Sequence, residues 1–246
     1  MILLKSEEDL KIMQASGKIL SGIMDRIKKA VKPGVTTADL EKLADQLFEN
    51  AGVESAFKGY HGYPASICTS VNNVIVHGIP DSKALKNGDI IGIDIGIKEK
   101  GFFTDTCATV AVGQISSQAQ KLLDTAKESL ALGIKKAVLG NRLSDISWAI
   151  QSYVEKNKFS VVREFVGHGI GRNLHEDPEI PNFGKPGNGP ELKTGMVLAI
   201  EPMVNAGSWE SDILNDGWTA ITKDGSLSAH FEHTVAITLN GPLILT

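Results

Sequence analysis

One carboxylate stands where burial should forbid it. In Gly88-Asp89-Ile90-Ile91-Gly92-Ile93-Asp94-Ile95-Gly96-Ile97 the residues around Asp94 are apolar or glycine, the pattern of a strand covered on both faces. Taking an isolated carboxylate out of water is costly, so Asp94 needs a partner or a cation. Asp105 follows in Phe102-Phe103-Thr104-Asp105-Thr106-Cys107, text suited to the returning strand of a hairpin. A two-residue turn at Glu99-Lys100 sets the aspartates directly opposite each other, with Cβ atoms about 4.5 to 5.5 Å apart. A glycine bulge at Gly101 shifts the pairing by one residue and offsets them diagonally. In either register the two charges repel unless one is protonated or a cation lies between them, and a metal is the simpler resolution. A solvent-facing strand with a casual Asp pair is the competing reading; the flanking isoleucines argue against it.

Three later segments also set a ligand-type side chain in apolar or glycine-rich text. Val166-Gly167-His168-Gly169-Ile170-Gly171 strips bulk from both sides of a histidine, which lets another group approach closely. Val197-Leu198-Ala199-Ile200-Glu201-Pro202 ends a strand-like run with a glutamate, and Phe231-Glu232-His233-Thr234-Val235-Ala236-Ile237 begins one. Each alone fits a satisfied structural residue; together they form a set of four carboxylates and one imidazole, suited to Mn, Fe, Co or Zn. Two divalent ions balance four carboxylate charges better than one. Such a pair shares a hydroxide and polarises a carbonyl, which points to metal-assisted hydrolysis. His77, at the end of Asn72-Asn73-Val74-Ile75-Val76, and His175, in Arg172-Asn173-Leu174-His175, have the chemistry to hydrogen-bond a substrate carbonyl. An ordinary loop role fits either as well. His61, His230 and His233 have weaker cases.

These residues need elements to hold them. Ser6 with Glu7, Glu8 and Asp9 reads as a capped, acidic helix start, and apolar residues recur at helical spacing to Pro33-Gly34. Thr36 and Asp39 repeat the signature for a second helix ending at Asn50-Ala51-Gly52. Strands follow at Ser66 to Ser70, Val74 to Val76, Ile90 to Ile97 and Phe102 to Val112. A helix from Ser116 through Leu139, another from Ser144 to about Asn157, and short strands beyond Val161 complete the chain. Helices then strands, twice, suggest two similar α+β halves. A weak echo of Ala30-Val31 and Asp39-Leu40 in Ala137-Val138 and Asp145-Ile146 agrees, although ordinary helix-turn-helix text would look alike.

Composition bounds the partners. The 246 residues are 42% hydrophobic and 22% charged, enough for a sizeable core and for one large domain spanning 1–246. A net charge of −4 with no basic block argues against nucleic acid. Only Cys68 and Cys107 occur, without metal or disulfide spacing, and Met1 to Leu4 is too short for a signal core; no long apolar run follows. A soluble cytoplasmic protein is expected, with no membrane partner.

The chain closely resembles the type I methionine aminopeptidases of the short bacterial form, within the creatinase-like metallopeptidases. The matching text includes Gly59-Tyr60-His61-Gly62-Tyr63-Pro64, His77-Gly78-Ile79-Pro80, Gly92 to Gly96, Gly101 to Thr106, Gly167 to Arg172, Glu201-Pro202, Asp216-Gly217-Trp218 and Ser228 to Thr234, so it covers essentially the whole chain. The resemblance implies the α+β pita-bread fold, two pseudo-symmetric halves around an antiparallel sheet with helices outside. It implies Asp94 on one metal, Asp105 and Glu232 bridging, and His168 and Glu201 on the other, with Glu201 as general base for the bridging water or hydroxide. His77 and His175 would contact the scissile peptide, and Tyr60, Tyr63, Cys68 and Trp218 would wall the methionine pocket. Substrates would be nascent polypeptides with a small second residue, met near the ribosome by a monomer. Phe57 and Leu174 depart from the family pattern beside the pocket, which puts its shape in question. An X-Pro-directed peptidase of the same fold and a non-catalytic binding module are the competing functions; the second conflicts with an intact five-residue set.

Overall fold

The computed structural model describes residues 1–246. Its first half runs α1 (Glu7–Ala30), α2 (Thr37–Ala51), β1 (Glu54–Ser55), β2 (Cys68–Val71), β3 (Val74–Val76), β4 (Ile90–Glu99) and β5 (Phe102–Ala111). The second begins with α3 (Ser117–Lys136), α4 (Leu143–Lys156), β6 (Ser160–Val161), β7 (Gly167–Gly169), β8 (Glu176–Ile180), β9 (Val197–Ile200) and β10 (Met203–Asn205). It closes with β11 (Ser211–Ile213), β12 (Ala220–Thr222), β13 (Ser228–His230), β14 (Glu232–Thr238) and β15 (Gly241–Ile244).

The helices start where their caps dictate. Ser6 Oγ accepts from Asp9 N–H at 3.1 Å while Asp9 accepts from Ser6 N–H at 3.0 Å, and Thr36 with Asp39 repeats the reciprocal pair. Each box is worth about 1 kcal/mol. Gly52 ends α2 at φ 67°, a left-handed conformation suited to glycine. The fourth helix starts one residue before Ser144, because Asp145 accepts from the Arg142 N–H at 2.8 Å.

A nine-stranded antiparallel sheet joins the halves in the order β1-β4-β5-β14-β9-β7-β8, with β2 also on β4 and β15 also on β14. The seam between halves is β5 against β14, pairing Glu232 with Cys107 and His233 with Thr106. Strand alternation divides the work. Ile91, Ile93, Ile95 and Ile97 pack with Leu20, Ile27, Leu40 and Leu47 of α1 and α2 in one core. In the other half, Leu198, Ile200, Val235 and Ile237 pack under α3 and α4 with Ile146 and Ile150. Each such side chain contributes about 1.5 to 3 kcal/mol by leaving water. The opposite face of β4 therefore carries Gly92, Asp94 and Gly96, a carboxylate flanked by residues without bulk. This is the pita-bread architecture expected from the sequence, with the helix pairs on one face of the curled sheet.

The hairpin register differs from both expected alternatives. The turn is Lys100-Gly101, with φ 48° and 79°, and not Glu99-Lys100. Positive φ at both central residues is the type I′ requirement, which glycine meets at the second position. The ladder runs unbroken from Glu99↔Phe102 to Ile90↔Ala111, with no bulge, so Asp94 faces Cys107 and Asp105 faces Gly96. The aspartates are diagonal neighbours on one face. The displacement from the expected register is an even number of residues, which leaves every side chain on its proper face.

Candidate metal centre

The four carboxylates and the histidine meet on the face away from the helices, four from strands β4, β5, β7 and β14 and Glu201 from the residue just past the end of β9. Ligand atoms of Asp105, His168 and Glu232 all lie within 4.8 Å of one another. His168 Nε2 is 3.4 Å from Asp105 Oδ2 and 3.5 Å from Glu201 Oε1, which brings Glu201 to the edge of that cluster. Asp94 lies outside the tight triad but beside it, held between Cys68 on β2 and Cys107 on β5. Its Oδ1 is buried with no hydrogen-bond partner.

Local sequence explains how these groups come so close. A side chain at Gly167 would place its Cβ 2.4 Å from the Ala199 carbonyl, and one at Gly169 would place it 2.1 Å from the Asp177 carbonyl. The bare glycines thus let the backbones of β9 and β8 close on His168, as their presence in the sequence suggested. Gly169→Ala is expected to cost about 1 to 3 kcal/mol and to push His168 out of line, read as a lowered melting temperature together with weaker metal binding. The His168 Nδ1–H donates to the Gly169 carbonyl at 2.9 Å, which leaves the Nε2 lone pair facing the carboxylates. Thr234 anchors Asp105 from the next strand, its Oγ1 donating within 2.9 Å of Asp105 Oδ1 and accepting from the Asp105 N–H at 3.1 Å.

Electrostatics favour a cation at this cluster. None of the four carboxylates has a Lys or Arg within 4.0 Å; their only basic neighbours are His168 and His230. Burial pushes Asp94 up to about 8, with Asp105 and Glu201 adding to the rise against the pull of His230. It likewise raises Glu201 to about 8, with Asp105 adding and His168 opposing. Asp105 and Glu232 are raised too, by burial first. Hard oxygen donors, one prepared imidazole and an orphaned buried carboxylate oxygen fit divalent cations.

The other expected residues ring this cluster. The His175 ring lies 4.3 Å from that of His168, edge to face, and its Nδ1 is 2.7 Å from the Tyr60 hydroxyl. Its imidazole is held below the ordinary range by desolvation, His168 and His77. Burial takes His77 down to about 4, with His230 adding, and its ring meets Phe165 edge-on at 5.6 Å. Tyr63 and Cys68 form a small apolar cluster with Ala65, and Phe57, Ile79 and Trp218 pack against it. Tyr63 and Trp218 meet edge to face at 5.1 Å, and the Tyr63 hydroxyl donates to the Gly78 carbonyl at 3.0 Å. Leu174 is buried in a different cluster, with Met13, Phe102 and Ile170.

A family model described as metallopeptidase family M24 matches residues 11–239. A methionine aminopeptidase of Clostridium perfringens is 55% identical over 246 residues, covering 100% of this chain and 99% of that protein. The chain belongs to the methionine aminopeptidases of family M24. Their crystal structure from Thermotoga maritima superposes on it with a TM-score of 0.98 at 45% identity, covering 100% of this chain and 99% of that one. The prolidase of Pyrococcus furiosus shares the fold at 20% identity and a TM-score of 0.79, over 99% of this chain and 65% of its own.

Sequence reasoning gave His230 only a weak case in this methionine aminopeptidase. The residue is 3% exposed, and its Nε2 lies 3.3 Å from Glu201 Oε2. Asn182, whose side-chain amide donates to the Glu201 carbonyl at 3.0 Å, and Thr234 were passed over. The alternation from Glu232 to Thr234 signals that these two share a face; nothing in the text near Asn182 signals its role.

Proposed function

We propose that this chain is a dinuclear-metal aminopeptidase, a single catalytic unit over 1–246, that removes the N-terminal methionine of polypeptides whose second residue is small. The observation that carries this reading is the gathering of Asp105, His168 and Glu232, with Glu201 and Asp94 beside them, next to the cluster of Tyr63, Cys68 and Trp218, whose apolar lining suits a methionine side chain. Asp94, Asp105, His168, Glu201 and Glu232 would hold the two ions, from among Co, Mn, Fe and Zn. When bound, such ions act as Lewis acids that polarise the peptide carbonyl and acidify water. Glu201 accepts the proton of the attacking water and returns it to the departing amine.

His77 and His175 act as neutral donors at the scissile carbonyl and at the oxyanion that develops from it. Their lowered proton affinity keeps them uncharged at neutral pH, so they contribute directed hydrogen bonds and do not repel the ions. Tyr60, a phenol whose proton affinity burial raises further, donates to His175 Nδ1 and leaves the imidazole proton on Nε2. Tyr63, Cys68 and Trp218 enclose the methionine side chain with Tyr60 at the rim. On this reading the enzyme acts on nascent polypeptides in the cytoplasm, in transient proximity to the ribosome, and, as the family resemblance favours, as a monomer. No helix is long and apolar enough to cross a membrane.

A peptide panel with metal-loaded protein separates this specificity from X-Pro cleavage. Methionine is expected from Met-Ala-Ser, with Ala-Pro peptides left intact. Hydrolysis of Ala-Pro peptides with Met-Ala-Ser spared would replace the reading by the proline-directed one.

A further inference from the structure

The carboxylate of Glu201 lies between two imidazoles, one at each oxygen. His168 Nε2 faces Oε1 at 3.5 Å and His230 Nε2 faces Oε2 at 3.3 Å. No hydrogen bond reaches this carboxylate; Asn182 binds only the backbone carbonyl of the residue. The two imidazoles are not equivalent. His168 aims a lone pair into the cluster because its other nitrogen is committed to the Gly169 carbonyl, so it serves a cation. His230 sits outside the triad of Asp105, His168 and Glu232, and its buried Nε2 has no hydrogen-bond partner.

The backbone fixes His230 where it stands. Its N–H donates to Thr109 Oγ1 at 2.9 Å, and the same hydroxyl donates to the His230 carbonyl at 2.8 Å, a two-way clamp onto β5. On its other side His230 pairs with Met203 across β10 and β13. A nitrogen held so firmly, unpaired and aimed at a carboxylate oxygen invites a role, since an unmet buried donor costs about 1 to 3 kcal/mol. The contact is too poorly aligned for a hydrogen bond as it stands, a common state for catalytic bonds that tighten only when substrate is present.

We propose that His230 is a positioning residue for Glu201: its Nε2–H donates to Oε2 and holds the carboxylate in the orientation from which it exchanges the proton of the attacking water. This deepens the aminopeptidase reading and rests on it. His230 touches no reacting atom. Its removal therefore acts on the catalytic step and on how firmly Glu201 serves the metal, and leaves substrate affinity alone. Partners that orient metal ligands are typically worth about 10- to 100-fold in metal affinity or activity.

The test compares wild type, His230→Leu and His230→Gln, each folded by circular dichroism and thermal melting, with Mn2+ as the metal. Expected is a kcat for Met-Ala-Ser that falls about 10- to 100-fold in His230→Leu at unchanged KM. Mn2+ binding followed by calorimetry weakens about tenfold with the number of bound ions unchanged. Glutamine reaches a similar distance with an N–H donor, so His230→Gln recovers most of both losses. A His230→Leu enzyme with wild-type kcat, or a glutamine variant no better than leucine, would overturn the proposal. So would loss of one bound ion in His230→Leu, which would make His230 a ligand. If wild type itself releases no methionine under any metal, the functional reading fails and takes this inference with it; if wild type is active, the variants judge the inference alone.

Discussion

Changing Asp94 and Asp105 together to asparagine is expected to abolish metal binding and to cut methionine release by about a thousandfold or more, while making the metal-free protein more stable. The opposite signs share one cause. The two carboxylates lie as diagonal neighbours with no Lys or Arg nearby, and Asp94 leaves one oxygen wholly unpaired. Without a cation, burial raises the proton affinity of both above that of the unfolded chain, so the site works against folding at neutral pH. For Asp94, raised to about 8, that penalty is roughly 4 kcal/mol at pH 7. The amides keep the shape, carry no charge to bury and bind divalent ions poorly. Melting of the metal-free proteins checks the gain, and calorimetry with peptide assay checks the loss. Metal-dependent turnover surviving in the double variant would remove these aspartates from the ligand set.

The second large effect is a pH dependence that metal should erase. A carboxyl whose folded proton affinity is raised contributes full stability below its unfolded pKa, near 4, and loses it as pH rises through the folded value. For Asp94 and Glu201 that value is about 8. The buried histidines run the other way: His77, lowered to about 4, and His175 destabilise the fold as pH drops below about 6.5, where the unfolded imidazoles take up protons. The unfolded imidazoles are still half protonated at pH 6.5, so this opposing effect, which the buried His230 and half-buried His233 share, fades only by about pH 7.5, and from there to pH 8 the carboxyls dominate. In that window the metal-free protein is expected to lose about 1.4 kcal/mol per pH unit for each carboxyl that stays protonated. Saturation with metal, which requires ionised ligands, should flatten the slope, and metal binding should release protons. Denaturant unfolding across the window, with chelator and with Mn2+, reads both. A metal-free stability that rises from pH 7.5 to 8 would contradict a cluster of protonated carboxyls.

The site was readable in the sequence where a residue conflicted with its surroundings. A carboxylate between isoleucines and glycines, or a histidine between two glycines, makes no sense in a strand except as a ligand or a close approach. The glycine neighbours of His168 proved to be the points where β8 and β9 close in. The hairpin was less readable. Glu99, Lys100 and Gly101 offer two turns, and only Lys100-Gly101 puts glycine at the second positive-φ position. The other turn displaces the ladder by an even number of residues, so the aspartates keep their face in either register. His230 shows the limit of local text. Its placement depends on Thr109, 121 residues away, reaching across a seam between the two halves, and nothing around Ser228-Ala229-His230 records that clamp.

The central claim is that these five residues make a metal-dependent methionine aminopeptidase. The most direct measurement is methionine release from Met-Ala-Ser by chelator-stripped protein, with Mn, Fe, Co or Zn returned singly in counted equivalents. The account predicts no release without metal and a rate that climbs and saturates by about two equivalents. Release undiminished in the stripped protein, or none with any ion while the protein stays folded, would contradict it.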